Sequence, residues 1–258
     1  MVMSDVFAAL LYTIFVWWFS TGIILFLNGM PRHTFKWTMS AATVILVAAL
    51  SALQLTSHVS EIWAAYCAFS CAVLVWAWQE IGFLLGFVTG SRKTDCPEDA
   101  RGWRKFGLAA ETILYHELAL VVLGAMVWLV SREGVNQVGF WTYLVLWTMR
   151  QSAKLNVYFG VRNLSEGFLP HHLKYLQTYF RRRPMNAFLP ISLIVSFAIA
   201  IPIWQSVASA PPGSFSAVSL TLIGTLLSLA ILEHLFLVLP VPLEGLWRWG
   251  LRSRSAES

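Results

Sequence analysis

The sequence predicts an all-α membrane protein: one helical bundle over residues 1–258 that crosses the bilayer about seven times, N-terminus outside and C-terminus in the cytoplasm. Three observations carry that expectation. Only 12% of the residues are Asp, Glu, Lys or Arg and 57% are hydrophobic, about half the charge that a soluble domain carries. The apolar residues gather into runs near the roughly 20 residues that span a hydrocarbon core. The cations fall almost wholly into one alternating set of loops.

The runs cover residues 7–27, 37–55, 62–88, 106–130, 138–157, 188–207 and 218–239. None alternates with period two, and a lipid-exposed backbone must satisfy its own hydrogen bonds, so each is expected to be a helix and not a barrel strand. Residues 1–6 hold Asp5 and no cation, so the first run is expected to remain a span and not be cleaved as a signal. Of the 18 Lys and Arg residues, only Arg132 falls in the loops around Ser57, Gly134 and Pro212. The others are Arg32 and Lys36, those from Arg92 to Lys105 and from Arg150 to Arg183, and Arg248, Arg252 and Arg254. The positive-inside rule places that second set in the cytoplasm. The net charge of +5 is thus a mark of topology and not of nucleic-acid binding.

Tryptophans follow the same frame. Trp37, Trp103, Trp247 and Trp249 lie near inner ends and Trp63, Trp128, Trp141 and Trp204 near outer ends, as in an aromatic belt. Trp17, Trp18, Trp76, Trp78 and Trp147 lie deeper and are expected to pack the bundle. Cys67, Cys71 and Cys96 form no metal or disulfide pattern.

The outer loops are short, so ligands from water are expected to arrive at the cytoplasmic loops, residues 90–105 and 160–184. In the second, Leu169, Leu173, Leu176 and Phe180 recur at helical spacing beside His171, His172, Lys174 and the run Arg181, Arg182 and Arg183. This predicts an amphipathic helix over 169–183, lying in the membrane interface and ended by Pro184. The triple arginine suits anionic lipid or a partner's acidic loop. Gly82, Gly86 and Gly90 make small-xxx-small steps expected to pack within the bundle.

Ionisable residues inside spans are costly, so they mark partners or function. Glu80, His116, Glu117, Glu233 and His234 are expected at similar depth, with Lys154 and Asn156 near the inner end of the fifth span. Counting from the run ends puts Glu80 at about 12 Å, His116 at about 15 Å and His234 at about 8 Å. Glu80, His116, Glu117, Glu233 and His234 suit iron, manganese or zinc, although the Glu-x-x-His step of di-iron bundles is missing. Helix-to-helix hydrogen bonding, axial ligation of a haem or chlorophyll by His116 or His234, and a proton path are the other readings of the same residues.

The segments Trp17–Gly22, Gly86–Gly90, Ala100–Trp103 and Tyr115–Leu118 occur in the order of one family, and so do 136–139, 152–157, 181–186, 232–234 and 237–240. Over nearly its whole length the chain resembles the PuhE family of photosynthetic complex assembly proteins. The resemblance implies a protein of the photosynthetic inner membrane of anoxygenic phototrophic bacteria. It implies a gene beside those of the reaction centre, and as partners the subunits of the reaction centre and core antenna or other assembly factors, with influence on bacteriochlorophyll supply. It supplies no catalytic residue. A non-enzymatic assembly factor is the leading expectation; the alternative is a membrane metalloenzyme that oxidises a pigment precursor or another hydrophobic substrate at the His and Glu cluster.

Overall fold

The computed structural model describes residues 2–241 and 243–253; Arg254, among the cations assigned to the inner loops, lies outside the described residues. The described residues are helical, with no strand beyond one isolated bridge between Val161 and Arg182. The long helices are α1 (Val2–Asn28), α2 (Phe35–Thr56), α3 (Ile62–Leu84), α5 (Leu114–Ser131), α6 (Val138–Phe159), α7 (Phe188–Ser209) and α8 (Phe215–Phe236), with a shorter α4 (Gly102–Glu111) and α9 (Arg248–Leu251). Six of the described helices, α1, α2, α3, α5, α7 and α8, are long and apolar enough to cross a membrane. The seventh long helix, α6, has 22 residues but carries Arg150 and Lys154. The protein is a polytopic helical bundle.

α3 is its axis, packed against α1, α2, α5, α6 and α8, while α7 sits outside against α8 and α6. Phe69, Val75 and Trp76 of α3 meet Leu120 and Leu123 of α5, Tyr143 of α6 and Leu222 of α8 in the main core. Tyr143 crosses it edge-on to Trp76, with ring centroids 5.7 Å apart, and donates its hydroxyl to Leu120 O at 2.8 Å. That bond satisfies a phenol that would otherwise be stranded in apolar surroundings. At the end of the bundle away from the basic loops, Asn136 Nδ2 donates to Thr56 O and Ala64 O, tying together the loops that follow α2 and α5.

The seventh span was expected over 218–239 and is α8, Phe215–Phe236; the third and fourth spans depart furthest from the sequence expectation where they border the polar residues. The third span was expected to reach Val88, but α3 ends at Leu84 because Gly86 takes φ +85°. Gly86 N then donates to Phe83 O and Phe87 N to Gly82 O, both at 2.9 Å, which are the two bonds of a Schellman stop. Gly86 and Gly90 therefore lie beyond the helix, and a Cβ at Gly90 would meet the backbone of Glu111 and Thr112. The fourth span was expected over 106–130. It breaks at Thr112 and Ile113, where Thr112 Oγ1 bonds back to Ala109 O at 2.6 Å, and only α5 continues as a spanning segment.

The segment 169–183 is not an α-helix. Residues His171–Tyr179 form a 3-10 helix whose Leu173, Leu176 and Tyr179 are buried, a spacing of three that suits three residues per turn. Leu173 and Leu176 cover the end of α3 at Phe83 and Leu84. Arg181–Arg183 follow as extended chain, with Arg183 N donating to Val161 O and Arg182 paired to Glu166 at 2.8 Å. Tyr179 locks this cover to the loop between α3 and α4 by accepting from Arg92 Nε at 2.7 Å and donating to Thr94 O at 3.0 Å.

Candidate functional site: a polar layer organised by one helix

Because α3 and α8 stop early and α5 starts late, the ionisable residues lie closer to the helix ends than their runs implied. Glu80 is four residues from the end of α3, His116 two from the start of α5 and His234 two from the end of α8, or about 6, 3 and 3 Å along the helix axes. All three stay near the helix ends, and His116 packs on Phe83, which the 171–179 cover overlies.

α6 organises the polar layer. Arg150 Nη2 reaches Glu80 Oε2 of α3 at 3.2 Å, and Gln79 Nε2 donates to the other oxygen of Glu80 at 3.2 Å. One turn on, Lys154 Nζ meets Glu117 Oε1 of α5 at 2.6 Å, and Gln151 Nε2 donates to Glu117 Oε2 at 2.6 Å. Residues four apart lie on one helix face, so a single stripe of α6 neutralises both carboxylates. The opposite stripe binds the other neighbours. Ser152 Oγ lies 2.8 Å from His234 Nε2 of α8. Asn156 Nδ2 donates to Ser192 Oγ of α7 at 3.2 Å.

Asn186 finishes the layer. Its Nδ2 donates to Asn156 O, Asn156 Oδ1 and Gly160 O, all at 3.1 Å, while its Oδ1 accepts from Phe188 N and Leu189 N. The second set of bonds satisfies donors at the start of α7 that have no partner within the helix.

The five residues proposed from sequence as metal ligands do not converge. Glu80 and Glu117 face cations, and Glu233 looks the other way, toward α1, where Trp17 Nε1 donates to it at 2.7 Å. Among the described residues no three of His, Cys, Asp or Glu gather into a group that could hold a metal ion. The two histidines proposed as axial ligands differ from each other. Both ring nitrogens of His234 are engaged, Nδ1 at 2.9 Å from Ala230 O and Nε2 by Ser152. His116 is 1% exposed, its ring lies 4.5 Å from that of Phe83, and its Nδ1 is buried with no hydrogen-bond partner. His116 is thus the ring with donor capacity left for a ligand. Two grooves open to the outer surface of the bundle, one of about 700 Å³ between α7 and α8 and one of about 450 Å³ beside Lys36, and neither is lined by His116 or His234.

Sequence reasoning missed Arg150, which it counted among the loop cations, as well as Gln79, Gln151 and Ser152. The four-residue step from Arg150 to Lys154 inside an otherwise apolar run was the available signal. In the cover, burial and the neighbouring cations Arg32 and Lys93 hold the His172 imidazole below its ordinary pKa of 6.5.

Two of the deep tryptophans, Trp17 and Trp18, pair with the C-terminal segment. Trp17 meets Trp247 at 5.2 Å and Trp18 meets Trp249 at 5.5 Å between ring centroids. Trp18 and Trp247 each donate to a main-chain carbonyl of the other segment, at Leu246 and Trp18. This strap covers the inner half of α1 and leaves Glu233 at its edge.

Residues 3–258 match the family described as Protein of unknown function (DUF3623). A relative from Rhodobacter capsulatus, described as an uncharacterized 30.4 kDa protein in the puhA 5' region, is 35% identical over 261 residues, covering 97% of this chain and 93% of the relative. No solved structure matches the chain.

Proposed function

The chain belongs to the family described as Protein of unknown function (DUF3623), and from that membership we propose that it is a membrane assembly factor of the PuhE type. In this reading it holds a subunit of the photosynthetic reaction centre or core antenna, or another assembly factor, while the complex forms in the inner membrane of a phototrophic bacterium. The observation that carries the reading is the relative whose description places it in the puhA 5' region, the kind of gene neighbourhood that the sequence resemblance implies. The geometry favours holding over catalysis, since Glu80 and Glu117 are each bound by fixed donors of the bundle itself. Engaged in this way, neither serves as a ready acid, base or ligand. The interlocked inner loops and the lipid-facing helices are the surfaces left for a partner and for membrane lipid.

A tagged protein expressed at its native level in a phototrophic host should co-purify with reaction-centre or antenna polypeptides or their precursors. Repeated recovery without any of them, at full expression, would overturn the proposal.

A second reading draws support from one atom. The buried, unpartnered Nδ1 of His116 suits ligation of a bacteriochlorophyll magnesium, so the protein would carry pigment as well as polypeptide. An absorption spectrum of the gently purified protein tests it: His116→Leu should then abolish any pigment band and His234→Leu should leave it. A band lost only in the His234 variant, or no band in the parent protein, would sink this reading.

A further inference from the structure

α4 is joined to α5 through Thr112 and Ile113 but does not continue it. Glu117 of α5 meets Lys154 of α6, and Phe106 of α4 meets the ring of Tyr158 of α6 with centroids 5.5 Å apart. The eleven residues from Phe106 to Glu117 would rise about 16 Å in a straight helix, whereas the four from Lys154 to Tyr158 rise about 6 Å. α4 therefore turns aside over the end of α6 and does not stand above α5.

At 3.6 residues per turn, Trp103, Phe106, Gly107 and Ala110 share one face of α4, and Lys105, Leu108 and Ala109 share another. Lys105, Leu108 and Ala109 are half-buried and face the protein, while the other four are exposed. Trp103 is 86% and Phe106 38% exposed, and no residue of α4 is buried. Trp103 thus points away from the bundle, while Phe106, at the margin of the same face, keeps one edge on Tyr158 and the rest of its ring exposed. Arg104 and Glu111 border it, and Arg104 is paired to Asp99 at 2.5 Å, which holds that carboxyl below its ordinary range. The neighbouring end of α6 also presents Phe159, 37% exposed.

We propose that α4 lies in the plane of the membrane, with Trp103 and Phe106 set into the boundary between headgroups and acyl chains of the leaflet on the basic-loop side. The occupant of its outward face is membrane lipid. Position argues for lipid: α4 directly precedes the first turn of the spanning helix α5 and lies across the end of α6, at the level where a surrounding bilayer has its interface. In-plane helices of this kind bury their apolar face to about 5–10 Å, and tryptophan is enriched at that depth. The role assigned from sequence to 169–183 thus passes to 102–111, because the apolar residues of the later segment cover the bundle instead. The inference goes beyond the assembly reading and does not depend on it. It also ties the lipid surface to His116 and Glu117, which follow the break within five residues.

The test places a single cysteine at Trp103 or at Glu111 after Cys67, Cys71 and Cys96 are replaced by Ser. Each protein is labelled with a nitroxide and reconstituted into phosphatidylcholine and phosphatidylglycerol nanodiscs. Collision rates are then measured with oxygen, which concentrates in lipid, and with a water-soluble nickel chelate. The label at 103 should favour oxygen at a depth of about 5–10 Å below the phosphates, and the label at 111 should favour nickel. Equal nickel access at both positions would place the face in water and overturn the proposal. Shielding of position 103 from both reagents would mean protein covers it, and would overturn it equally. The unsubstituted protein supplies an independent check: the peptide holding Trp103 should be modified by a bilayer-confined diazirine and protected from hydroxyl radicals, and the reverse pattern refutes the assignment.

Discussion

Lys154 Nζ stands 2.6 Å from Glu117 Oε1, and one turn earlier on the same helix Arg150 reaches Glu80 at 3.2 Å. Removing one member of such a pair leaves the other without compensation, whereas removing both does not. Lys154→Met and Glu117→Gln should each lower the thermal midpoint in detergent, and the double variant should lie well above their sum, with a coupling of about 1–3 kcal/mol. Additive losses would show that the two charges do not act as a pair.

The Arg150 and Glu80 pair is asymmetric, with side chains 47% and 8% exposed. Arg150→Leu strands a buried carboxylate and should cost about 3 kcal/mol. Glu80→Gln should cost less, because the guanidinium left behind is half-exposed and not stranded in the interior. Equal destabilisation by the two substitutions, read by thermal unfolding, would contradict this account.

Two glycines should respond in opposite directions. A Cβ at Gly90 would run into the backbone of Glu111 and Thr112, where nothing flexible can yield, while one at Gly107 would meet open space. Gly90→Ala should be poorly folded by size-exclusion chromatography. Gly107→Ala should be neutral or stabilising by up to about 1 kcal/mol, since alanine is the better helix former. A well-folded Gly90 variant would mean that the join between α4 and α5 is looser than its geometry.

The cover over the bundle should depend on pH through His172, whose pKa is lowered by burial, by Arg32, by Lys93 and by His171, and partly restored by a hydrogen bond to the Leu84 backbone. A base with a depressed pKa in the fold contributes stability that is present above its unfolded value, here 6.5, and that is lost as pH falls through the folded value. Amide exchange over 171–179, corrected for its intrinsic pH dependence, should therefore accelerate as pH is lowered below 6.5, and His172→Gln should flatten that response. Exchange that slows on acidification would reverse the sign and rule out this histidine as the cause.

The helical bundle, the bias of cations to one alternating set of segments and, apart from Arg150, the ionisable residues inside the long helices were legible in the sequence. Each depends on local quantities: the length of an apolar run, the cost of a charge in lipid, the identity of single residues. Where the spans end was not legible, because Gly86 and Gly90 act through φ and through contact with Glu111 and Thr112, which a hydropathy window averages away. The partners of the cluster were not legible either. Glu80 and Glu117 meet cations because α6 turns Arg150 and Lys154 toward them, and that rotation is set by packing against α3 and α5. The two inner segments exchanged roles for the same reason. Residues 169–183 and 102–111 both carry apolar residues at helical intervals, and periodicity measures that a face exists; only the tertiary contacts decide whether the face is used against the bundle, as at Leu173 and Leu176, or turned outward, as at Trp103.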